Sequence, residues 1–268
     1  MSYTDFISST LTEAAKIAND KFGHVTGTTK TDDNNQVLTE ADLAIGQFII
    51  AEIKKAFPNY NVIDEEAGVI DNSSDFTWVI DPIDGTSNFA SGLPMYGIML
   101  GLLQDATPIA GGIILPYFND LCIAEKGKGA TSNGKRISVT AERNLMKTLV
   151  GYCIDGHQEN PELTRQETKL LGEIVLNIRN LRCSNSAFDL VMIAEGKYGG
   201  LLNRTSKIWD NVAQQIIIEE AGGIYSDFFG NPMDYSDPLT KAKANFTFCA
   251  ASPSLHEQLQ TIIKEYGQ

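Results

Sequence analysis

Asp81 and Asp84 close an apolar run in Trp78-Val79-Ile80-Asp81-Pro82-Ile83-Asp84-Gly85-Thr86-Ser87-Asn88-Phe89. An acid at the end of a strand projects from a rigid element, which suits a metal ligand. Pro82 stiffens the turn between the two acids and lets them converge on one spot. Gly85 and Thr86 then open a helix or turn whose backbone N–H groups can receive a phosphate. Taken alone, Asp-Pro followed by Asp-Gly is common turn chemistry. Further acids at element ends shift that balance: Glu65 and Glu66 follow another strand-like run, and Asp210 follows Trp209 at the start of a helix. If Glu65, Asp81, Asp84 and Asp210 meet, each pair at about 4 Å repels by about 4 kcal/mol at an effective dielectric of about 20. Such a cluster requires cations, and Mg²⁺ prefers the carboxylate, carbonyl, water and phosphate oxygens available here.

The elements that must carry these acids show in the hydrophobic pattern. Over residues 4–22, Phe6, Ile7, Leu11, Ala14, Ala15 and Ala18 recur at helical spacing. The polar stretch 23–36 has neither period nor apolar content and reads as a mobile loop. Thr39-Glu40-Ala41-Asp42 opens a second helix in the manner of a capping box. Ile45, Phe48, Ile49, Ile53 and Phe57 share one of its faces, and Pro58 closes it. Short apolar runs at 60–63, 77–80, 96–103, 108–115 and 120–125 read as strands of one sheet, and Asn133-Gly134 reads as a tight hairpin turn. A strand over 148–153 and helices over 161–176 and 186–196 follow. A helix beginning at Asp210 turns Val212, Ala213, Ile216 and Ile217 inward and stops at Gly222-Gly223. A strand over 245–250 and a helix opened by Ser252-Pro253 complete the pattern. No short-period repeat or linker interrupts it, so 1–268 is expected to form a single unit. Its approximate halves are 1–140, with most of the candidate ligands, and 141–268, with the Trp209-Asp210 segment and the substrate side.

With 268 residues, 43% of them hydrophobic, the chain can bury a substantial core. Its formal charge of −13 argues against a surface for nucleic-acid polymers. No apolar stretch approaches the roughly 20 residues of a membrane span, and the N-terminus has no basic region leading into a hydrophobic run. A cytoplasmic protein without membrane attachment is therefore expected. Cys122, Cys153, Cys183 and Cys249 are widely spaced without a CxxC pair and are expected to be buried free thiols. His24, His157 and His256 lack metal-binding spacing, so any metal must be held by oxygen.

The segments DPIDGTSNF and WDNVAQQIIIEEAGG resemble the two signatures of the inositol monophosphatase family. The LTEAD helix start, the EKGKGA segment with its NGKRISV continuation, and the overall length extend the similarity over most of the chain. The resemblance implies a mixed αβ fold, a layered αβαβα sandwich of the sugar phosphatase type. It also implies hydrolysis of a small phosphate monoester by water activated on two or three Mg²⁺ ions. The implied metal ligands are Glu65, Asp81, the Ile83 carbonyl, Asp84 and Asp210. Thr86, paired with Asp42, would orient the attacking water beside Glu65. Implied substrate contacts are Asp84, Gly85, Thr86, Ser186, Ala187, Asn203 and Asp210. No histidine, serine or cysteine nucleophile is needed. The expected substrate is inositol 1-phosphate or a similar sugar or polyol phosphate. The alternatives are 3′-phosphoadenosine 5′-phosphate, NADP, fructose 1,6-bisphosphate and histidinol phosphate. Lithium sensitivity and a homodimer are implied as well.

Other readings of single residues stand beside these. Asp42 can be a helix-start acid and Asp210 an N-cap, while Trp209 can be a core anchor. Glu66 is expected to point away from the ligand set, and Ser87, Asn88 and Phe89 to brace the turn. Arg204 and Lys207 read as solvated loop cations. Asn203 stands where the family has an acid, seven residues before the Asp of its second signature. Its amide can still hydrogen-bond a sugar or nucleotide. Asn185-Ser186-Ala187 replaces Gly-Ser/Thr-Ala, Asp64 replaces the Gly before Glu65, and Gln36 falls where an Asp often stands. A competing class is a catalytically silent metal- and phosphate-binding module that regulates a partner. Retention of all four carboxylates with Thr86 and Asp42 speaks against it.

Overall fold

The computed structural model describes residues 2–30 and 33–267, without the side chains of residues 30 and 33–37. Helix α1 (Tyr3–Lys21) starts where Ser2 and Asp5 cap one another, and it buries Phe6, Ile7, Leu11, Ala14, Ala15 and Ala18 as the period indicated. The stretch expected to be a mobile loop contains a hairpin instead, β1 (Thr28–Lys30) paired antiparallel with β2 (Asp33–Leu38). A two-stranded ladder satisfies backbone N–H and C=O groups without an apolar core, so hydrophobic period does not announce it. The part of that expectation at residues 31 and 32, and the side chain of Gln36, lie outside the described residues. Helix α2 (Glu40–Ala56) follows, with Thr39 and Asp42 forming the expected capping box.

Next come β3 (Asn61–Asp64), β4 (Gly68–Ile70), β5 (Phe76–Asp84), the short helix α3 (Thr86–Ala90), β6 (Gly97–Gln104), β7 (Thr107–Leu115), β8 (Asp120–Glu125), β9 (Gly129–Ser132) and β10 (Lys135–Arg136). These strands form an eight-stranded sheet in the order β10-β9-β8-β7-β6-β5-β3-β4. β3 and β5 run parallel, whereas β4 returns antiparallel to β3. Every apolar run assigned to one sheet lies in it, and β4, β9 and β10 extend it. Asn133 and Gly134, with φ of 47° and 76°, make the expected turn between β9 and β10.

A second, five-stranded sheet in the order β12-β11-β13-β15-β14 is built from the remainder of the chain. It comprises β11 (Leu149–Cys153), β12 (Asn180–Arg182), β13 (Gly200–Ser206), β14 (Ile224–Ser226) and β15 (Phe246–Ala251). The helices of this half are α4 (Pro161–Leu176), α5 (Ala187–Ala194), α6 (Ile208–Glu220) and α7 (Pro253–Tyr266). Two expectations are corrected here. Arg204 lies in β13 and is not a loop cation: its guanidinium stacks 5.2 and 5.6 Å from the Phe228 and Phe229 rings. Cys183 is exposed because it follows β12, the edge strand, while Cys122, Cys153 and Cys249 are buried, and all four thiols are free. Among the described residues no helix is long and apolar enough to cross a membrane.

The layering follows from strand alternation. In β6, Ile98, Leu100 and Leu102 join the cluster formed with α1 and α2, while Met99 turns to the opposite face and packs with α5 and α6. That second face also meets Leu201, Tyr225, Phe248 and Ala250 of the smaller sheet, so α5 and α6 lie between the sheets. On the far side of the smaller sheet, Val150, Tyr152 and Leu202 pack against Leu170 and Ile174 of α4 and Leu255, Leu259 and Ile263 of α7. The result is helix pair, sheet, helix pair, sheet, helix pair. Ile217 of α6 is fully buried in the middle layer. Ile217→Ala is expected to cost about 2–5 kcal/mol of stability in urea unfolding; a loss below about 1 kcal/mol would contradict this packing.

Candidate metal and phosphate site

In an unbroken strand, residues 81 and 84 would face opposite sides of the sheet, because successive side chains alternate. The pairing of β5 with β6 shifts register between Asp81 and Asp84, at the Pro82-Ile83 step. This irregularity brings both acids to one face. α6 supplies the third: Asp210 is the third residue of that helix, not its N-cap, and its carboxylate accepts the Lys207 backbone N–H. Helix α6 thus starts two residues before the position its sequence suggested. Carboxylate oxygens of Asp81, Asp84 and Asp210 all lie within 4.8 Å of one another. Glu65, in the turn after β3, donates its backbone N–H to Ile80 O at 3.3 Å and lines the same cavity of about 610 Å³. Ile83, Gly85, Thr86, Ser186 and Asn203 line it too.

The cluster bears the electrostatic mark of acids crowded without a counter-charge. Burial, then repulsion from Glu65, Asp84 and Asp210, holds the Asp81 carboxyl well above the usual range. Burial and Asp210 raise Asp84 as well, although the Ala187 backbone N–H stabilises its charged form. Burial pushes Asp210 up to about 6, against the opposing effect of the Lys207 amide. Asp81 Oδ1 is buried with no hydrogen-bond partner. A hard divalent cation fits this all-oxygen donor set and answers the orphaned lone pairs of Asp81.

Asp42 is fully buried and reaches the cavity through Thr86. Its Oδ2 accepts the Thr39 N–H at 2.8 Å and the Thr39 hydroxyl at 2.5 Å, and its Oδ1 faces the Thr86 hydroxyl at 3.3 Å. The helix-start reading and the Thr86 partnership are therefore both true of it. Burial raises its pKa, and the Thr39 contacts oppose that shift. The Thr86 hydroxyl also lies 2.8 Å from Ile83 O. Gly85 adopts φ of +88°, and a Cβ there would come within 2.7 Å of Ser186 Cβ. Glycine thus admits both the left-handed turn and the close approach of α5.

Ser186 caps α5 and shares a hydrogen bond with the Ser184 hydroxyl at 2.9 Å. Ala187 is completely buried and does not line the cavity; its N–H serves Asp84. Asn203 Oδ1 accepts the Thr205 N–H at 2.7 Å, which leaves its Nδ2 for a ligand. Asn88 bridges the two halves, donating to Met95 O and Ser184 O at 2.7 Å each, and Phe89 is buried, so both brace the turn. Trp209 is mostly buried and borders the cavity as well.

Sequence reasoning missed the outer wall. Asp155 accepts from Asn185 Nδ2 at 3.0 Å, and His157 lies 3.5 Å from the buried Glu167. Both belong to the loop between β11 and α4, where no period or motif marks them. Asp189, in the first turn of α5, is buried behind Ser184 and accepts its N–H at 2.8 Å, a contact that helical period does not reveal. A second acidic group, Asp120, Cys122 and Glu195, is already engaged by Ser132 and Lys197, and burial pushes its thiol far up.

The profile of the inositol monophosphatase family matches residues 2–268. An Aquifex aeolicus protein named fructose-1,6-bisphosphatase/inositol-1-monophosphatase is 33% identical over 219 residues, covering 80% of this chain and 76% of its own. The Nus factor SuhB of Pasteurella multocida is 32% identical over 198 residues, 73% of each chain. The solved structure of a Thermotoga maritima IMPase superposes with a TM-score of 0.87 at 27% identity, covering 100% of this chain and 98% of its own.

A raised carboxyl pKa means that the folded protein holds its proton more tightly than the unfolded chain does. The contribution of these acids to stability is therefore greatest below the ordinary value of 3.8 and falls as pH rises, with Asp210's share lost through about 6. In chelator at about pH 8, Asp84→Asn is expected to be more stable than wild type, because the amide is neutral and does not repel Asp210. The gap should narrow toward about pH 5, and Mg²⁺ should stabilise the wild type more than the variant. Urea unfolding with and without Mg²⁺ reads this; a metal-free variant less stable than wild type at about pH 8 would contradict it.

Proposed function

The chain belongs to the inositol monophosphatase family and is a phosphomonoesterase of the sugar and polyol phosphate type; from that premise we propose that it is Mg²⁺-dependent and uses a metal-activated water. Inositol 1-phosphate or a close polyol phosphate is the proposed substrate. The observation that carries the reading is the convergence of Asp81, Asp84 and Asp210 within 4.8 Å at the wall of one cavity, with a buried carboxylate oxygen left unsatisfied.

Glu65, Asp81, the Ile83 carbonyl, Asp84 and Asp210 would hold two or three ions. Bound there, Mg²⁺ supplies the positive charge that neutralises phosphoryl oxygens and acidifies a water. The remaining work falls to the chain. Gly85 and Thr86 lie at the start of α3, where the first amides have no acceptor inside the helix, and they are available to phosphate oxygens. The Thr86 hydroxyl has one proton; when it donates to Asp42, its lone pairs can accept from a water and fix that water's direction. Asn203 Nδ2 and Ser186 line the side on which the alcohol portion would sit, and a neutral amide there suits hydroxyl groups. The same proposal makes the protein a lithium-sensitive cytoplasmic homodimer. The charge of −13 supports its indifference to nucleic-acid polymers.

Phosphate release from sugar, polyol and nucleotide phosphates, with Mg²⁺ or with chelator, tests this reading. Release from inositol 1-phosphate or another polyol phosphate in Mg²⁺ alone is expected. No release from any compound, or release indifferent to chelator, would contradict it. Thr86→Ala is expected to lower kcat about 10²–10³-fold with a small change in KM; equal loss in KM with kcat intact would instead assign Thr86 to binding.

A further inference from the structure

Asp64 ends β3 one residue before Glu65 and is almost completely buried. Its Oδ1 accepts two backbone N–H groups of the following turn, Glu66 at 3.0 Å and Ala67 at 2.6 Å. The carboxylate also lies against α2. A Cβ added at Gly46 would come within 2.8 Å of Asp64 Oδ2 and 3.3 Å of Pro82 Cγ. Gly46 lies one turn of helix beyond Asp42, and Pro82 lies between Asp81 and Asp84. One buried carboxylate therefore sits where three segments meet: the turn that carries Glu65, the helix that carries Asp42, and the strand irregularity that gathers Asp81 and Asp84.

We propose that Asp64 is a positioning residue for the divalent-ion site, fixing the Glu65 turn against α2 and Pro82. The inference rests on the metal-dependent reading of the cavity. Asp64 touches neither cavity nor substrate; it acts through Glu65. A turn held by two hydrogen bonds from one rigid acceptor presents Glu65 in a single direction, whereas a turn without that acceptor must pay the ordering cost when the ion binds. Gly46 is the counterpart of this arrangement, since any side chain there would displace the carboxylate.

The test is Mg²⁺ calorimetry on the substrate-free protein, with Asp64→Ala, Asp64→Asn and Gly46→Ala. Unfolding curves establish that each variant is folded. Asp64→Ala and Gly46→Ala are expected to weaken Mg²⁺ binding about 10–100-fold. Asp64→Asn retains an acceptor for both N–H groups and is expected to stay within about threefold of wild type. Amide exchange at Glu66 and Ala67 should quicken in Asp64→Ala without metal. If that variant fails to fold, Gly46→Ala carries the test, because alanine suits a helix interior better than glycine. Unchanged Mg²⁺ affinity in folded Asp64→Ala or Gly46→Ala would overturn this proposal alone. A wild-type protein that takes up no Mg²⁺ would overturn the reading of the site and this proposal with it.

Discussion

Repulsion among Asp81, Asp84, Asp210 and Glu65 sets the terms for the rest of the molecule. Like charges this close are unfavourable in any protein interior, and burial sharpens the penalty by removing the water that would screen them. Protonation would relieve the strain on one side and a divalent ion on the other, so the residues that crowd charge in the metal-free protein form a donor set suited to a cation. Burial first, and repulsion within the cluster second, raises the pKa values of Asp81 and Asp84, whereas burial is what raises Asp210.

A tension of this kind persists only if the surrounding structure holds the acids in place. Here the holding is done by layers. The fully buried faces of β6 and β7 pin the end of β5, and α6, packed between the two sheets, brings Asp210 to that end. Local hydrogen bonds complete the aim. Thr39 fixes Asp42, Asn88 ties the α3 turn to Ser184 on the other side of the cavity, and the Ala187 amide steadies Asp84. The cavity therefore lies between elements drawn from both halves of the chain, with the acids along one wall and amide and hydroxyl groups along another.

Much of this was readable beforehand. Helices α1 and α2 showed because one face of each is apolar at helical spacing, and β3, β5, β6 and β7 of the larger sheet showed because both of their faces are buried. The acids were visible through their position at element ends. What escaped is equally physical. The β1–β2 hairpin has no core to betray it, and β12 and β14 are short pieces completed by their neighbours. The boundary of α6 was placed late because Lys207, an unusual cap, starts it. Asp155 and His157 line the cavity through tertiary proximity alone, and Asp189 stands behind it, holding the Ser184 amide. Ala187 occupies a cavity-adjacent position, yet its contribution is a backbone amide, which no side-chain pattern records.

The most direct measurement is a crystal structure of the protein soaked in Mn²⁺, with ions located by anomalous scattering. Mn²⁺ accepts the same oxygen ligands as Mg²⁺ and marks its own position. The account predicts strong peaks at coordination distance from the carboxylates of Asp81, Asp84 and Asp210, with Glu65 sharing an ion. Peaks confined to other surfaces, with this cluster empty at saturating Mn²⁺, would contradict it.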